Sequence, residues 1–388
     1  MRIQNQRSRA FAFIVCLGVV SLFADMTYEG ARSILGPFLG SLGASAAAIG
    51  FIAGFGEMLA AGLRFFTGRL VDRTRAYWTM TILGYSLTVV AVPAMALAGN
   101  WKVAALLIVL ERMGKSLRGP ARDVLLSGAT AAVGHGKGFG LHAAMDQTGA
   151  VLGPLLVMTA VARHGDFGPA FARLAFPGAA ALLALVVARA WNPTMPAEPP
   201  APAQQHLPRV FWKYTIAAGL LAFGFLDFAL LAYHFQQTST VAPQTIPLLY
   251  AAAMGVNGLA ALILGRAFDR AGATALAAGI VIGAAALPLA LLGGHWGAIA
   301  GMLAWGVGLG AQDGCLRPAV AQVVSMNKRG SAFGIFSGIF GIAWFLGSGA
   351  MGLLYSHSLL AVVALGVAAQ LAGAALFLVT SSTTSARP

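Results

Sequence analysis

The first long apolar stretch of this chain carries three ionisable side chains, Asp25, Glu29 and Arg32, spaced four and then three residues apart. On a helix that spacing puts all three on one face, each about one turn from the next. An acid in apolar surroundings must find a partner or give up its charge, because burial disfavours the ionised form. Asp227, in FGFLD at 223–227, sits at a comparable place in a later stretch and echoes SLFAD at 21–25. The chemistry open to these acids is proton binding and release, centred on Asp25 with Glu29 or Asp227 beside it. The alternative is a permanent ion pair of Asp25 or Glu29 with Arg32.

A second concentration of charge lies in LERMGKSLRGPARDVLL at 110–126, with Glu111, Arg112, Lys115, Arg118 and Arg122. Its basic members fall within about 120° of helical arc and form a ladder. Lys115 is suited to act as a point charge for an anionic substrate group, unless Glu111 and Asp123 neutralise the ladder. Asp313 and Arg317 are four apart and read as a mutual salt bridge; Glu57 and Arg64, seven apart, suggest a similar pairing. His142 and Asp146, also four apart, make either a His–Asp hydrogen bond or part of a divalent-metal site completed by Asp25 or His234. The candidate substrate-cavity residues are therefore Arg32, Glu57, Arg112, Lys115, Asp146, His234, Asp313 and Arg317. The seven acids within apolar stretches, Asp25, Glu29, Glu57, Glu111, Asp146, Asp227 and Asp313, outnumber the bases Arg32, Arg64, Arg112, Lys115 and Arg317. That imbalance favours handling of protons or cations.

The elements that must position these groups are membrane-spanning helices. The chain is 58% hydrophobic and only 10% charged, with a mean hydropathy of +0.79, whereas a soluble protein carries roughly 25% charged residues. Apolar stretches near the roughly 20 residues that cross a bilayer recur along the whole length. Spans are expected near 11–39, 46–66, 77–98, 102–128, 138–161, 168–190, 212–236, 246–265, 274–293, 297–324, 332–354 and 358–380. Their continuous Ala, Leu and Gly content argues against alternating strands. Residues 2–24 resemble a signal peptide but continue into a polar-interrupted helix without a small-residue cleavage site, so an uncleaved first span is expected. Cys16 and Cys315 both lie within spans and read as packing residues.

The net charge of +13 is spread over short loops and helix ends, which does not suit nucleic acid. With both termini cytoplasmic, almost all loop arginines and lysines fall inside; Lys102, Arg163 and Arg173 fall outside. The Pro-rich stretch WNPTMPAEPPAPAQQHLPRV at 191–210 cannot be helical throughout and reads as a linker. It divides the chain into two six-helix bundles, 1–190 and 211–388. Those halves repeat: GRLVDRTR at 68–75 is echoed by GRAFDRAG at 265–272, and GKGFGLHAAMDQTGAVLGP at 136–154 by GSAFGIFSGIFGIAWFLGS at 330–348. Six-helix repeats around a midplane site are a transporter arrangement, because one half can rock against the other.

The GRLVDR loop and its echo resemble the signature loop of the major facilitator superfamily, and the resemblance covers essentially the whole chain. Gly68, Leu70, Asp72 and Arg73 match the pattern Gly-x-Leu-x-Asp-Arg-x-Gly-Arg, while Arg75 replaces its second Gly. Gly265, Asp269, Arg270 and Gly272 match in the second copy, with Ala267 in place of Leu. The resemblance implies a latch that closes a cytoplasmic gate, and physically an Asp at such a helix end can accept from a neighbouring helix N-terminus. The fourth-span segment together with FGLHAAMDQTGAVLGP further resembles bacterial permeases and drug-efflux proteins. Arg112 matches a family arginine implied to assist proton transfer, although Lys115 and Ser116 replace the Gln and Gly that follow it. Gly149, Gly153 and Pro154 resemble the start of the superfamily's antiporter motif, with Val157 and Met158 where its further glycines stand. Small residues four apart also permit close helix approach, and Pro bends a helix.

No Gly-x-Ser-x-Gly, His-Glu-x-x-His or phosphate-cradling Gly-Lys motif is present, and no soluble segment is long enough for a nucleotide-binding domain. The expectation is an all-α integral membrane protein of the bacterial inner membrane with the major facilitator fold. It acts as a monomeric secondary transporter, not an enzyme, without cofactor or resident metal. Its partners are a small-molecule substrate, protons and the lipid bilayer, and its mode is proton-coupled efflux by alternating access. Facilitated or proton-coupled uptake of an anionic metabolite and divalent-metal export are the alternatives.

Overall fold

The computed structural model describes residues 2–191, 207–324 and 329–385, and their side chains except those of 2–7, 65, 72, 131–132, 135–136, 329–331 and 382–385. Among the described residues every regular element is helical. In chain order these are α1 (Arg2–Arg32), α2 (Leu35–Ser41), α3 (Ala46–Thr74), α4 (Tyr77–Ala94), α5 (Trp101–Val133), α6 (His135–His164), α7 (Gly168–Arg173) and α8 (Ala175–Trp191). There follow α9 (Arg209–Gly224), α10 (Phe228–Gln237), α11 (Thr245–Ala271), α12 (Ala273–Ala284), α13 (Ala286–Leu292), α14 (Gly294–Val323), α15 (Arg329–Tyr355) and α16 (Leu359–Ser385). Joined across short breaks, they make about twelve helical stretches that overlap the expected spans.

Ten of these stretches are long and apolar enough to cross a bilayer. The remaining two, α5 and α14, are as long, but α5 is interrupted by its charge ladder and α14 is diluted by glycine. With no water in the bilayer core, helices satisfy every backbone group internally, which is why this composition yields helices. Where the sequence suggests one continuous first span, the chain breaks after Arg32. The seventh stretch breaks at Phe225–Asp227, where the Asp227 carboxylate accepts from the Ala229 N–H at 2.9 Å and caps α10. A side chain that can cap a helix start competes with helix continuation, so the break falls at the acid.

The chain forms two compact units. The first comprises residues 1–34 and 63–199, the second 35–62 and 200–388. The core of the first joins Phe13, Ile14, Leu17, Val20 and Ala24 of α1 to Trp78 and Tyr85 of α4, Leu125 and Leu126 of α5, and Ala181 and Leu185 of α8. Phe13 meets Trp78 edge-on at 6.1 Å. In the second, Tyr214 of α9 stacks on Phe377 of α16 at 4.3 Å. Cys315 is buried in that core and Cys16 is half-buried; both thiols are free. Lipid tails are as apolar as these side chains, so close packing and internal polar contacts, more than exclusion of water, hold such helices together.

Candidate functional site

Within the first unit four helices turn one polar stripe each toward a common cluster. Ser21, Asp25 and Tyr28 lie four and three residues apart on α1; Tyr85 and Thr88 are one turn apart on α4. Arg112, Lys115, Arg118 and Arg122 follow one another at helical spacing on α5, and His142 and Asp146 do so on α6. Arg112, Arg118, Glu111 and His142 are buried to 3–4% exposure. Such burial is sustained only because each charge meets another polar group.

Asp25 faces the Arg118 guanidinium, its Oδ1 3.9 Å from Nη2. Arg118 donates its hydrogen bond to the Thr88 hydroxyl at 2.8 Å and lies 4.7 Å from the centre of the Tyr85 ring. Asp146, Glu29 and Lys115 are the other charged groups in electrostatic reach of Asp25. The Tyr28 ring carries two cations, with Lys115 Nζ 3.6 Å and Arg112 Cζ 4.9 Å from its centre. Arg112 also donates to the Tyr28 hydroxyl and pairs with Glu111 at 3.4 Å. A tyrosine face attracts cations electrostatically, and more strongly when they are desolvated.

One turn from Asp25, Ser21 is a hub. Its Oγ lies 2.9 Å from His142 Nε2 and 3.4 Å from the Tyr85 hydroxyl, and it accepts from Arg122 Nη1 at 3.2 Å. The other face of the imidazole, Nδ1, is 3.7 Å from Asp146 Oδ2, and Arg122 Nη1 is 3.9 Å from the same oxygen. Arg122 also binds the exposed Asp123 carboxylate at 3.0 Å.

The helix carrying Asp25 is seated by glycine. A Cβ at Gly149 would collide with the Leu22 carbonyl, and one at Gly153 with the Met26 carbonyl and the Gly30 N–H, so α1 and α6 touch backbone to backbone. The second unit repeats this arrangement: Gly347 of α15, aligned with Gly153, meets the Phe223 carbonyl of α9. Asp227 of that unit is buried, with the Trp344 indole donating to its Oδ2 at 3.3 Å. His234 bonds the Tyr355 hydroxyl through Nδ1 at 2.8 Å, and Asp313 accepts from Asn257 at 3.0 Å. Among the described residues, no three His, Cys, Asp or Glu side chains converge as metal ligands.

The expected site residues thus fall into separate places. Asp25, Arg112, Lys115 and Asp146 share the cluster in the first unit, whereas Asp227, His234 and Asp313 lie in distinct settings of the second. Glu29 and Arg32 follow on α1, and Glu57 lies on the part of α3 that belongs to the second unit. Gly68 and Arg73 end α3, Gly265, Asp269 and Arg270 end α11, and Arg317 is exposed on α14; the Asp72 side chain lies outside the described residues. Ser21, Tyr28, Tyr85 and Thr88 were not suggested by the sequence. Their signal was the helical register they share with Asp25 and the α5 ladder.

Residues 17–348 match the family model of the Major Facilitator Superfamily. A protein of Mycobacterium tuberculosis described as uncharacterized is 40% identical over 372 residues, covering 93% of this chain and 91% of its own. A peptide transporter crystallised with sulfate superposes with a TM-score of 0.78 at 14% identity, over 96% of this chain and 94% of that one. A nucleoside transporter superposes with a TM-score of 0.73 at 15% identity, over 95% and 99%. At those identities the solved structures show a common fold.

Proposed function

We propose, since the chain belongs to the major facilitator superfamily, that it exports a small solute across the bacterial inner membrane in exchange for protons, with Asp25 as the coupling acid. It is a multi-pass membrane transporter and not an enzyme. The observation that carries the reading is the loose contact of Asp25 with Arg118, 3.9 Å apart, beside an Arg118–Thr88 hydrogen bond of 2.8 Å. Protonating Asp25 removes one charge without stranding the other, because Arg118 keeps Thr88 and the Tyr85 ring. An acid so placed can load and release a proton as access alternates between the two sides of the membrane. Export is supported by the resemblance of Gly149, Gly153 and Pro154 to the antiporter motif, which packs against the helix that bears Asp25.

In this reading the halves 1–190 and 211–388 are the moving bodies of a monomer with both termini cytoplasmic. The segments around Gly68, Asp72 and Arg73 and around Gly265, Asp269 and Arg270 form its inner gate. A second reading, uptake of an anionic metabolite, rests on Arg112 and Lys115 sharing the Tyr28 ring. Proteoliposomes with an internal pH dye separate the two. Addition of a cationic dye such as ethidium, then of organic acids, should release protons with the exported class only, and Asp25→Asn should abolish that signal. Proton movement with organic acids alone would favour the second reading, and equal flux in wild type and variant would remove Asp25 from coupling.

A further inference from the structure

The Ser21 hydroxyl has one proton to donate and two lone pairs to accept with, yet three groups surround it. Arg122 has no acceptor capacity, so its N–H occupies one lone pair. His142 Nε2 at 2.9 Å and the Tyr85 hydroxyl at 3.4 Å must share the hydroxyl proton and the second lone pair. When His142 is neutral and presents a bare Nε2, Ser21 donates to His142 and accepts from Tyr85, and the ring's remaining proton on Nδ1 points at Asp146 Oδ2, 3.7 Å away. When His142 is protonated, Nε2 carries a hydrogen. Ser21 must then accept from both Arg122 and His142, and its own proton can go only to Tyr85.

We propose that His142 is a second proton-binding site of the transport cycle and that the direction of the Ser21 hydroxyl reports its protonation state to the Asp25–Arg118 pair. The proton bound at Nε2 comes from water on the side open to the cluster and returns there, with no covalent bond made or broken besides N–H and O–H. Two features extend the effect beyond the imidazole. Asp146 Oδ1 is buried without a hydrogen-bond donor among the described residues, so the carboxylate on the Nδ1 side has capacity for a stronger interaction with a cationic ring. Tyr85, the acceptor in the protonated state, is the ring on which Arg118 lies at 4.7 Å while facing Asp25.

The charged groups that act on His142 are Arg122 and Asp123 on α5 and Asp146 on α6 itself, with Asp25 one turn from Ser21 on α1. On α7, Arg173 is bound to His164, at the far end of α6. Two cationic or potentially cationic groups, Arg122 and His142, therefore share Asp146 and Ser21. That sharing makes the site sensitive to one added proton and leaves Asp25, on the same face of α1, to respond.

This inference rests on the reading of Asp25 as the coupling acid, and the test keeps the two apart by reading the protein without a substrate. Full-length protein in nanodiscs, with nitrogen-15 in its seven histidine rings, is titrated between about pH 5 and 8, the range in which histidines change charge. His142→Gln assigns the signal by its loss. The His142 signal should titrate in that range. In Tyr85→Phe, which keeps the ring under Arg118, the neutral state loses only the occupant of one Ser21 lone pair, whereas the protonated state is left with a buried hydroxyl proton that has no acceptor, so the midpoint should fall by about half a unit. In Ser21→Ala the further change Tyr85→Phe should move nothing, because the rotor is gone. A His142 signal that never titrates, or a midpoint that ignores Tyr85→Phe, overturns the proposal. Loss of proton release in Asp25→Asn proteoliposomes bears on the coupling reading alone, so that reading can stand while the relay falls.

Discussion

Arg118 stands 3.9 Å from Asp25, yet its hydrogen bond goes to Thr88 and its plane to the face of Tyr85. The pair is therefore asymmetric. Asp25 depends on Arg118 for its nearest counter-charge, whereas Arg118 has two other contacts.

That asymmetry predicts the outcome of a double-mutant cycle. Arg118→Ala leaves Asp25 without its nearest cation inside the membrane, and removing one partner of a buried pair costs up to about 3–5 kcal/mol. Asp25 retains 22% side-chain exposure, so the loss should be smaller, roughly 1–3 kcal/mol. Asp25→Asn in the same chain should recover part of it. Thermal unfolding followed by tryptophan fluorescence in detergent reads all four proteins. An Asp25→Asn effect that is the same in wild type and in Arg118→Ala would mean that the two side chains do not interact.

The backbone contact between α1 and α6 makes a sharper steric prediction. Gly153→Ala places a methyl against the Met26 carbonyl and the Gly30 N–H, neither of which can turn aside as a side chain would. It should destabilise the protein by about 1–3 kcal/mol, as overpacking does, and displace the stripe bearing Asp25 relative to His142. Gly140→Ala, thirteen residues before Gly153 on the same helix, meets nothing within 4 Å and should be neutral or gain up to about 1 kcal/mol from helix propensity. Equal unfolding temperatures for the two alanine variants would show that α1 and α6 do not need this closeness.

The helices and their approximate ends were legible in the sequence because hydrocarbon leaves the backbone few options. The partners of the charges were not. Reading along one helix offers Asp25 only Glu29 and Arg32, since spacing reports neighbours on the same cylinder. The counter-charge from α5 becomes visible only once α1 packs against α5 and α6. Tyr28 and Tyr85 escaped for a related reason, because an aromatic ring in an apolar stretch looks like packing until a cation is found over its face. Asp227 looked equivalent to Asp25 from its flanking residues, but an acid can also end a helix, and the Ala229 N–H shows that this one does.

The repeat makes a prediction at its point of departure. Arg75 occupies the place of the family glycine and adopts φ +51°, and Gly272, aligned with it, has φ +56°. Left-handed backbone costs a side-chain-bearing residue roughly 1–2 kcal/mol. Arg75→Gly should therefore raise stability slightly or leave it unchanged, the gain being offset by glycine's freedom in the unfolded chain. Gly272 combines its positive φ with ψ −133°, a conformation that is essentially glycine's own. Gly272→Ala should cost about 1–3 kcal/mol. Gly272→Ala should lower the unfolding temperature while Arg75→Gly does not, and a stable Gly272→Ala would show that the turn can adopt another shape.

At Asp227, capping and proton carriage respond differently to amidation. Its Oδ1 accepts from the Ala229 N–H at 2.9 Å, and its Oδ2 accepts from the Trp344 indole at 3.3 Å. Asparagine can keep the cap with its carbonyl, but its amide nitrogen then confronts the indole N–H, donor against donor. Asp227→Asn should lose about 1–3 kcal/mol, the cost of a buried donor left without an acceptor. Trp344→Phe in the same chain should return part of that loss, because it removes the opposed donor and keeps a ring between Phe225 and Phe340. An Asp227→Asn protein as stable as wild type but unable to move protons would assign Asp227 to coupling. A destabilised Asp227→Asn rescued by Trp344→Phe would identify it as the residue that holds the break between α9 and α10.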